Sequence, residues 1–286
     1  MFANASLARR IERAEVGLVL EGARAASRRV PAAQMIIEEF NGGAVVFVEP
    51  DAPFNKSVGF GFGGVPSPAT LDRVERAFAA RHAPLQFEVS TLADPEVGRS
   101  LTGRGYGLVG FENVLGIAIT PTLVDRLERS DASRIDVRPA SPDESSVWME
   151  TVTTGFLHPD VYDGPPSHES VNREVLERVF GDTLAAPGFE RFLARRSGEV
   201  AGGASFRIQD GVAQLSGAAT VPAHRRQGVQ SALLRYRLLE GARRGCDVAV
   251  VTTSPGSKSQ ENVQKAGFAL LYTRAVLVKQ PTRRTD

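Results

Sequence analysis

The chain has 286 residues, a length that fits two domains of ordinary size, and 42% of them are hydrophobic and 23% charged. This composition excludes a disordered, collagen-like or coiled-coil protein. The net charge of +1 and the single cysteine exclude a strong global field for nucleic acids or membranes and an internal disulfide framework. Residues 1–30 hold no apolar run long enough for a signal peptide, so we expect a cytoplasmic protein.

The first half of the chain predicts helices that alternate with strands. Apolar residues recur at spacings of four, three and four from Leu7 to Leu18, which indicates an amphipathic helix over residues 6–28. The further predicted elements of this half are a strand at 44–48, a helix at 69–80, a strand at 85–89, a short helix at 95–101 and a strand at 108–119.

The second half has clearer turn signals. Ser197-Gly198 and Asp210-Gly211 separate three strand-like runs, and such pairs favour the tight turns of β-hairpins. The sequence therefore predicts an antiparallel meander. The predicted elements are helices at 143–154 and 170–180, strands at 189–194, 200–208 and 212–221, a helix at 228–244, a strand at 247–252, a helix at 259–266 and a strand at 270–278.

The two halves share their order of landmarks. From Val65-Pro66 to Gly105-Tyr106 the separation is 39 residues, and from Val221-Pro222 to Gly267-Phe268 it is 45. This correspondence predicts a tandem repeat of one α/β domain. The polar stretch within residues 121–136 is the expected boundary, which gives domains of residues 1–130 and 135–286.

One junction between a strand and a helix is strongly basic. Residues 222–231 read Pro-Ala-His-Arg-Arg-Gln-Gly-Val-Gln-Ser, and residues 222–245 contain six arginines and one glutamate. Free N–H groups at a helix start, a glycine and nearby cations favour a bound phosphate. A solvated arginine-rich helix is the plain alternative. Nucleic-acid binding through this helix is another, and it predicts a steep loss of affinity with salt.

The spacing within this junction carries a family resemblance. Arg225-x-x-Gly228-x-Gln230, which follows Val221-Pro222, resembles the acetyl-CoA signature of the GNAT N-acetyltransferase superfamily, although Gln230 stands where the family has glycine or alanine. The resemblance covers most of residues 135–280. It implies an α/β protein, α+β by segregation, with two tandem GNAT-like domains, each a mixed, mostly antiparallel sheet flanked by helices. The N-terminal copy is expected to be degenerate.

The resemblance also implies an activity, which is transfer of an acetyl group from acetyl-CoA to an amine on a small molecule or a peptide. No metal, nucleic acid or membrane is expected, and the protein is expected to be a monomer or a homodimer. The implied acetyl-CoA contacts are Ala219, Thr220, Val221, Arg225, Arg226, Gln227, Gly228, Val229, Gln230, Ser231 and Asn262.

The acid and base of this reaction are less evident. Gln214 stands where some family members carry a catalytic glutamate, and Val263 stands where many carry a tyrosine. His158, Gln214, Ser257 and Ser259 are the candidate catalytic residues. For Ser259 the plain alternative is a helix N-cap, and for Asn262 it is a solvated polar side chain. Loss of both usual groups leaves a second hypothesis, a non-catalytic acyl-CoA-binding or regulatory protein with the same fold.

A loop rich in glycine and proline could receive the acceptor. It contains His158, Asp160, Tyr162, Asp163 and His168, and in the family the corresponding loop overlies the acceptor. His158 or Asp160 could bind a cationic substrate or serve as the base. A metal site and an ordinary surface loop are the alternatives, and the spacing matches no metal-ligand pattern.

The glycine-rich run at residues 59–64 contains a literal Gly-x-Gly-x-x-Gly pattern. In a dinucleotide-binding fold the last glycine opens a helix, but here Val65, Pro66, Ser67 and Pro68 intervene. Residues 65–71 also contain no basic side chain. We therefore expect the first half to support the second domain or to shape the acceptor cleft.

Overall fold

A computed structural model of the chain describes residues 1–130, 135–159 and 172–281. Within this range the chain forms two compact units. The N-terminal unit holds residues 3–113 and 272–281, and the C-terminal unit holds the remaining described residues. The strands Gly107–Ala118 and Ala269–Lys279 each contribute to both units, so the predicted division at 130–135 stays a prediction for the two sequence copies.

The N-terminal unit has two layers of helix around its strands, which run in the order β1-β2-β3-β4 with β11 next to β4. Apolar side chains of α1 pack on one face, and those of α2 and α3 pack on the other. The elements are α1 (Ala5–Ala26), β1 (Ile36–Phe40), β2 (Gly43–Phe47), β3 (Ser57–Val58), α2 (Pro68–Ala79), β4 (Leu85–Ser90), α3 (Pro95–Gly103) and β5 (Gly107–Ala118).

In the C-terminal unit the strands run in the order β10-β9-β8-β7-β6. Strands β6 to β9 form an antiparallel meander, and β10 pairs in parallel with β9. The elements are α4 (Pro121–Arg129), β6 (Ile135–Pro139), α5 (Ser145–Leu157), α6 (Arg173–Ala185), β7 (Phe189–Arg196), β8 (Glu199–Gln209), β9 (Val212–Thr220), α7 (Val229–Arg243), β10 (Val248–Thr253), α8 (Lys258–Lys265) and β11 (Ala269–Lys279).

Both hairpins of the meander turn as the sequence predicts. Ser197 and Gly198 adopt φ angles of 51° and 86°, and Asp210 and Gly211 adopt 51° and 74°. Positive φ at both central residues matches the right-handed twist of the flanking strands. The antiparallel meander predicted from these turns is confirmed.

Helices cover the sheet of the C-terminal unit on both faces. Leu233 and Leu234 of α7 pack with Phe206 and Leu215 on one face. On the other face, Trp148 and Val152 of α5 and Phe180 of α6 pack with Leu193 and Ala219. None of the described helices is long and apolar enough to cross a lipid bilayer.

Four of the described elements escape the sequence prediction, namely the helix α4 and the strands β1, β3 and β6. The stretch interpreted as a polar boundary contains the helix α4, which begins after Thr120 with Pro121 in its first turn. The Thr120 side chain accepts a hydrogen bond from the Leu123 N–H, and Leu123 is buried, so capping and one apolar anchor hold this helix. The strand β1 was not predicted because Glu38 and Glu39 interrupt its apolar pattern.

Candidate functional site

The basic junction lies between the end of β9 and the start of α7. A 3₁₀ turn at Pro222–His224 follows β9, and Arg226 and Gly228 then adopt φ angles of 58° and 84°. Gly228 is the N-cap of α7, and it has no side chain that could accept from the first-turn N–H groups. By contrast, side chains cap α1, α2, α4, α6 and α8. The start of α7 therefore keeps its donors and the positive end of the helix dipole available to an anion.

Among the described residues, the space in front of Gly228 is open. A Cβ placed on Gly228 would lie 3.8 Å from the Ile135 Cδ1 and would meet no other non-neighbouring heavy atom of the described residues within 4 Å. Arg226, Gln227 and Gly228 are exposed. The junction thus combines exposed main chain, an exposed guanidinium and room for a phosphate.

The two arginines of the signature differ in their surroundings. Arg225 is half-buried and donates a hydrogen bond from Nη2 to the main-chain carbonyl of His158, at the end of α5. Arg226 is exposed. Arg226 is thus the better placed of the two to contact a phosphate, whereas Arg225 ties the junction to the start of the candidate acceptor loop.

Strands β9 and β10 separate beside this junction. Their parallel pairing covers Val212 to Gln214 of β9 and Val248 to Val250 of β10. Beyond Gln214, β9 continues to Thr220 without a further pair on that side in the described structure. Unpaired main-chain groups along this edge could bind an extended ligand as an added strand does.

Strand β9 also carries a β-bulge. On its β8 side the register passes from Gly203↔Ala219 to Ser205↔Ser216, so Gly217 and the following residue oppose a single residue of β8. Gly217 adopts a φ of 55°. A bulge of this kind interrupts the ladder and changes the direction of the main chain. The predicted contacts Ala219, Thr220 and Val221 follow directly after it.

His158 lies at the C-terminal end of α5 and is exposed. Its Nδ1 is 2.9 Å from the main-chain oxygen of Thr154. Because a carbonyl oxygen can only accept, Nδ1 is the protonated nitrogen, and Nε2 of the neutral ring keeps its lone pair. This tautomer suits a base or a hydrogen-bond acceptor. The other polar residues predicted in this loop, Asp160, Tyr162, Asp163 and His168, lie outside the described residues.

Gln214 lies in the interior of the C-terminal unit. It is buried, and its Oε1 accepts a hydrogen bond from Arg207 Nη1 at 3.3 Å. An amide cannot take a proton from an ammonium group. The structure therefore offers no route by which this side chain acts as the base, although it can hold a neighbouring polar group in place.

The predicted residues of α8 occupy different positions on the helix. Ser257 is the N-cap, and its Oγ accepts from the Gln260 N–H at 3.2 Å. The alternative assignment of this cap to Ser259 is wrong, because the Ser-x-x-Gln spacing of a capping motif begins at Ser257. Ser259 is exposed and Asn262 is half-buried, while Val263 belongs to the core.

Two residues that the sequence prediction missed adjoin the bulge. Trp148 Nε1 donates to the Ala204 carbonyl at 3.1 Å, and Arg237 Nη1 donates to the Ser205 carbonyl at 3.1 Å. Arg237 follows Leu233 by one helical turn and precedes Leu238, so its spacing on α7 could have placed it on the buried face. The sequence gives no signal for its partners.

The corresponding region of the N-terminal unit is filled. A Cβ on Gly59 would lie 2.4 Å from Val16 Cγ2, and one on Gly63 would lie 2.5 Å from the Asn41 carbonyl oxygen. The Ser67 side chain caps α2 by accepting from the Thr70 N–H. Protein atoms thus take the places that a phosphate would need. Among the described residues of the whole chain, no three His, Cys, Asp or Glu side chains gather as metal ligands do.

Comparison with known proteins gives this architecture its class. Residues 158–268 match the model of the acetyltransferase (GNAT) family. An uncharacterised N-acetyltransferase of Streptomyces griseus is 32% identical over 120 residues, which are 40% of this chain and 27% of that protein. The chain therefore spans about a quarter of the length of this curated relative.

Solved structures share the fold along nearly the whole chain. A GCN5-related N-acetyltransferase from Kribbella flavida aligns with a TM-score of 0.61 at 17% identity, covering 92% of this chain and 97% of that one. A tandem GNAT protein from the clavulanic acid biosynthesis pathway aligns with a TM-score of 0.57 at 13% identity and covers 98% of both chains. The fold is the tandem GNAT fold, and within its C-terminal half residues 158–268 match the model of the GNAT family, which confirms the predicted resemblance and fold class.

Proposed function

We propose that the protein is an N-acetyltransferase that moves the acetyl group of acetyl-CoA to an amine of a small molecule or a peptide. The observation that carries the proposal is the uncapped start of α7 at Gly228, open in front and flanked by the exposed Arg226. The family match over residues 158–268 supports the same donor. The acceptor amine, the cytoplasmic location and the oligomeric state belong to the proposal as well.

In this account the junction binds the pyrophosphate of the donor. The N–H groups at the start of α7 and the guanidinium of Arg226 supply hydrogen bonds and positive charge. Gln230 is the second residue of α7 and is half-buried. Its side-chain amide can donate a hydrogen bond to the same phosphate. The end of β9 at Ala219 and Thr220, together with the following Val221, binds the pantetheine arm, and Asn262 contacts it from α8.

The reaction itself asks little of the side chains. The amine nitrogen forms a bond to the thioester carbonyl carbon, the carbon–sulfur bond breaks, and the proton lost by the amine ends on the thiol or in solvent. Main-chain N–H groups of β9 polarise the carbonyl. His158 Nε2 takes the proton of the ammonium, directly or through water. The hydroxyl of Ser257 or Ser259 donates a hydrogen bond or a proton to the leaving sulfur. Gln214 holds Arg207 and takes no proton.

A second candidate function is supported by a specific observation. Gln214 and Val263 replace the usual base and acid, and both are buried in the interior. A non-catalytic acyl-CoA-binding protein would tolerate this loss. Proximity and carbonyl polarisation can nevertheless supply much of the rate without a dedicated side-chain base, which favours the enzyme.

Turnover with a panel of amines separates the two functions. The purified protein is incubated with acetyl-CoA and diamines, aminosugars, amino acids or peptides, and free thiol is measured. We expect thiol release that depends on at least one amine and stoichiometric acetylation of that amine by mass spectrometry. Tight acetyl-CoA binding with no amine-dependent release across the panel would support the non-catalytic alternative, and His158→Ala would then leave every measured property unchanged.

A further inference from the structure

Arg237 is a buried cation whose partners are main-chain carbonyls. Its side chain lies on the inner face of α7 and only 2% of the residue is exposed. In the described structure its hydrogen bonds go to the carbonyls of Leu233, Ser205 and Ser216, at 3.2, 3.1 and 3.4 Å. No described carboxylate forms an ion pair with it. A guanidinium in this position is held by main-chain oxygen atoms rather than by an opposite charge.

Such a residue costs stability unless its donors are needed. Burial without an anionic partner lowers the pKa of Arg237 to about 10, so the group still carries its charge at neutral pH. A methionine or leucine would fill the same volume without a desolvation penalty. We therefore infer that the guanidinium is present for the hydrogen bonds that it donates to these carbonyls.

Two of these carbonyls, those of Ser205 on β8 and Ser216 on β9, lie next to the β9 bulge. Ser205 and Ser216 form the last regular pair before it, and the single β8 residue opposite the bulge is Ala204. Trp148, which is fully buried on α5, donates its indole N–H to the Ala204 carbonyl at 3.1 Å. Arg237 and Trp148 thus approach the bulge from opposite faces of the sheet, and each supplies a donor to a carbonyl where the ladder is interrupted.

We propose that Arg237 and Trp148 act as positioning residues that clamp the β9 bulge and so fix the direction of the main-chain N–H group at Ala218, the bulge residue that precedes the Gly203–Ala219 pair. This inference rests on the proposed function, in which main-chain N–H groups of β9 bind the carbonyl of the acyl donor. A fixed bulge holds its donors in place before the ligand arrives, which avoids reorganisation during binding and reaction. The clamp acts through the main chain and touches no reacting atom.

The test compares two ligands that differ only in the acetyl group. Arg237→Met and Trp148→Phe keep most of the buried volume and remove the donors. Arg235→Met is the matched control, because Arg235 lies on the same helix and its Nε donates to a main-chain carbonyl elsewhere, that of Leu127 at 2.6 Å. Affinity for acetyl-CoA and for CoA is measured by calorimetric titration of each folded variant.

We expect both clamp variants to lose about tenfold more affinity for acetyl-CoA than for CoA, the effect of one weakened hydrogen bond. The control should change the two affinities equally. Arg237→Lys keeps the charge and some donors, so its ratio of acetyl-CoA affinity to CoA affinity should lie between those of Arg237→Met and the unmodified protein. Equal losses for the two ligands in Arg237→Met and Trp148→Phe would overturn the proposal, since a purely structural role lowers both affinities alike.

Failure of the proposed function is recognised separately, because the unmodified protein would then bind neither ligand or would bind acetyl-CoA without amine-dependent release of thiol. If Arg237→Met does not fold, as judged by near-ultraviolet circular dichroism, Trp148→Phe and Arg237→Lys decide the question by the same ratio. An unchanged ratio in both of these variants contradicts the clamp.

Discussion

The exposure and main-chain conformation of Arg226 bear on its proposed contact with a phosphate. Arg226 is exposed, and it adopts a left-handed main-chain conformation with a φ of 58°, which is uncommon for arginine. Such a conformation costs free energy, and it persists where the surrounding turn requires it. Here the turn presents the guanidinium next to the open start of α7.

The residue-scale prediction concerns this guanidinium. Arg226→Ala should weaken acetyl-CoA binding by about ten- to a hundredfold, because a charge-assisted hydrogen bond to a phosphate is lost. The folded state should change little. Arg243→Ala is the control, since Arg243 is an exposed arginine at the opposite end of the same helix. Calorimetric titration gives both dissociation constants, and equal values for the two variants would remove Arg226 from the site.

At this scale the sequence predicted the composition of the site better than its contacts. The spacing of Arg225, Gly228 and Gln230 was sufficient to predict that a helix begins at Gly228, because main-chain geometry at a helix start follows from local sequence. The contact of Arg225 with the His158 carbonyl and the contacts of Arg237 join residues far apart in the chain. No local pattern encodes such pairs, so they were found only in the structure.

Packing between α5 and β9 depends on a single glycine. A Cβ on Gly155 would lie 2.4 Å from the Ala219 Cβ, which is far closer than two carbons can approach. The absence of a side chain lets α5 lie directly on the strand that carries the bulge and the predicted donor contacts. The position of this helix is therefore coupled to the position of Ala219.

The element-scale prediction uses two helical glycines. Gly155→Ala should lower thermal stability, because overpacking costs about 1–3 kcal/mol whereas the gain in helix propensity is at most about 1 kcal/mol. Gly181→Ala in α6 is the matched control, since no atom of another described residue outside its own helix main chain lies within 4 Å of the added Cβ. It should raise stability by about 0.5–1 kcal/mol. Differential scanning calorimetry measures both, and stabilisation by Gly155→Ala would show that α5 does not press on β9.

The elements that the sequence predicted share strong local signals. The meander β7-β8-β9 is punctuated by Ser197-Gly198 and Asp210-Gly211, and turn chemistry alone defines it. The helix α4 was missed because a charged, nine-residue segment resembles a linker when its single buried anchor, Leu123, is not known. Short elements of this kind are stabilised mainly by tertiary packing, which a sequence pattern cannot show.

The two units of the molecule use their interiors differently. The N-terminal unit buries a cluster of ionisable side chains. Tyr272 and Arg274 of β11 both hydrogen-bond to Glu12 Oε1, at 2.7 and 2.8 Å. Lys56 pairs with Glu88 at 3.1 Å. The charged and titratable groups of this cluster come from α1, the segment before β3, β4, β5 and β11, and they are Glu12, Glu15, Lys56, Glu88, Glu112, Tyr272 and Arg274.

Negative charge exceeds positive charge in this cluster, and the pKa values respond. Burial raises the pKa of Glu88 to about 7, with Glu112 adding to the shift and Lys56 opposing it. Burial also raises the pKa of Glu12 despite the nearby Arg274. For Glu15 the effect of burial is outweighed by Arg274 and Lys56, so its pKa is lowered. The cluster therefore retains protons that an unfolded chain would release.

The whole-molecule prediction is a loss of stability as pH rises. Between about pH 4.5 and pH 7 the folded state keeps the Glu88 proton while the unfolded state has lost it, so the free energy of unfolding falls across this window. We expect a loss on the order of 1–2 kcal/mol from pH 5.5 to pH 7.5. Glu88→Gln, which cannot titrate, should flatten this dependence. Urea unfolding at the two pH values measures the free energy of unfolding. An equal loss of this free energy between the two pH values in the variant and in the unmodified protein would contradict the assignment.

The most direct test of the account is a calorimetric titration with acetyl-CoA of the unmodified protein and two glutamate variants. Gly228→Glu puts a carboxylate in front of the α7 start. Gly245→Glu puts a carboxylate beyond the other end of α7, at a glycine with a similar φ of 75° and with no non-neighbouring atom of the described residues within 4 Å of the added Cβ. We expect micromolar binding that Gly228→Glu abolishes and Gly245→Glu preserves. Binding that survives in Gly228→Glu, or absence of binding in the unmodified protein, would contradict it.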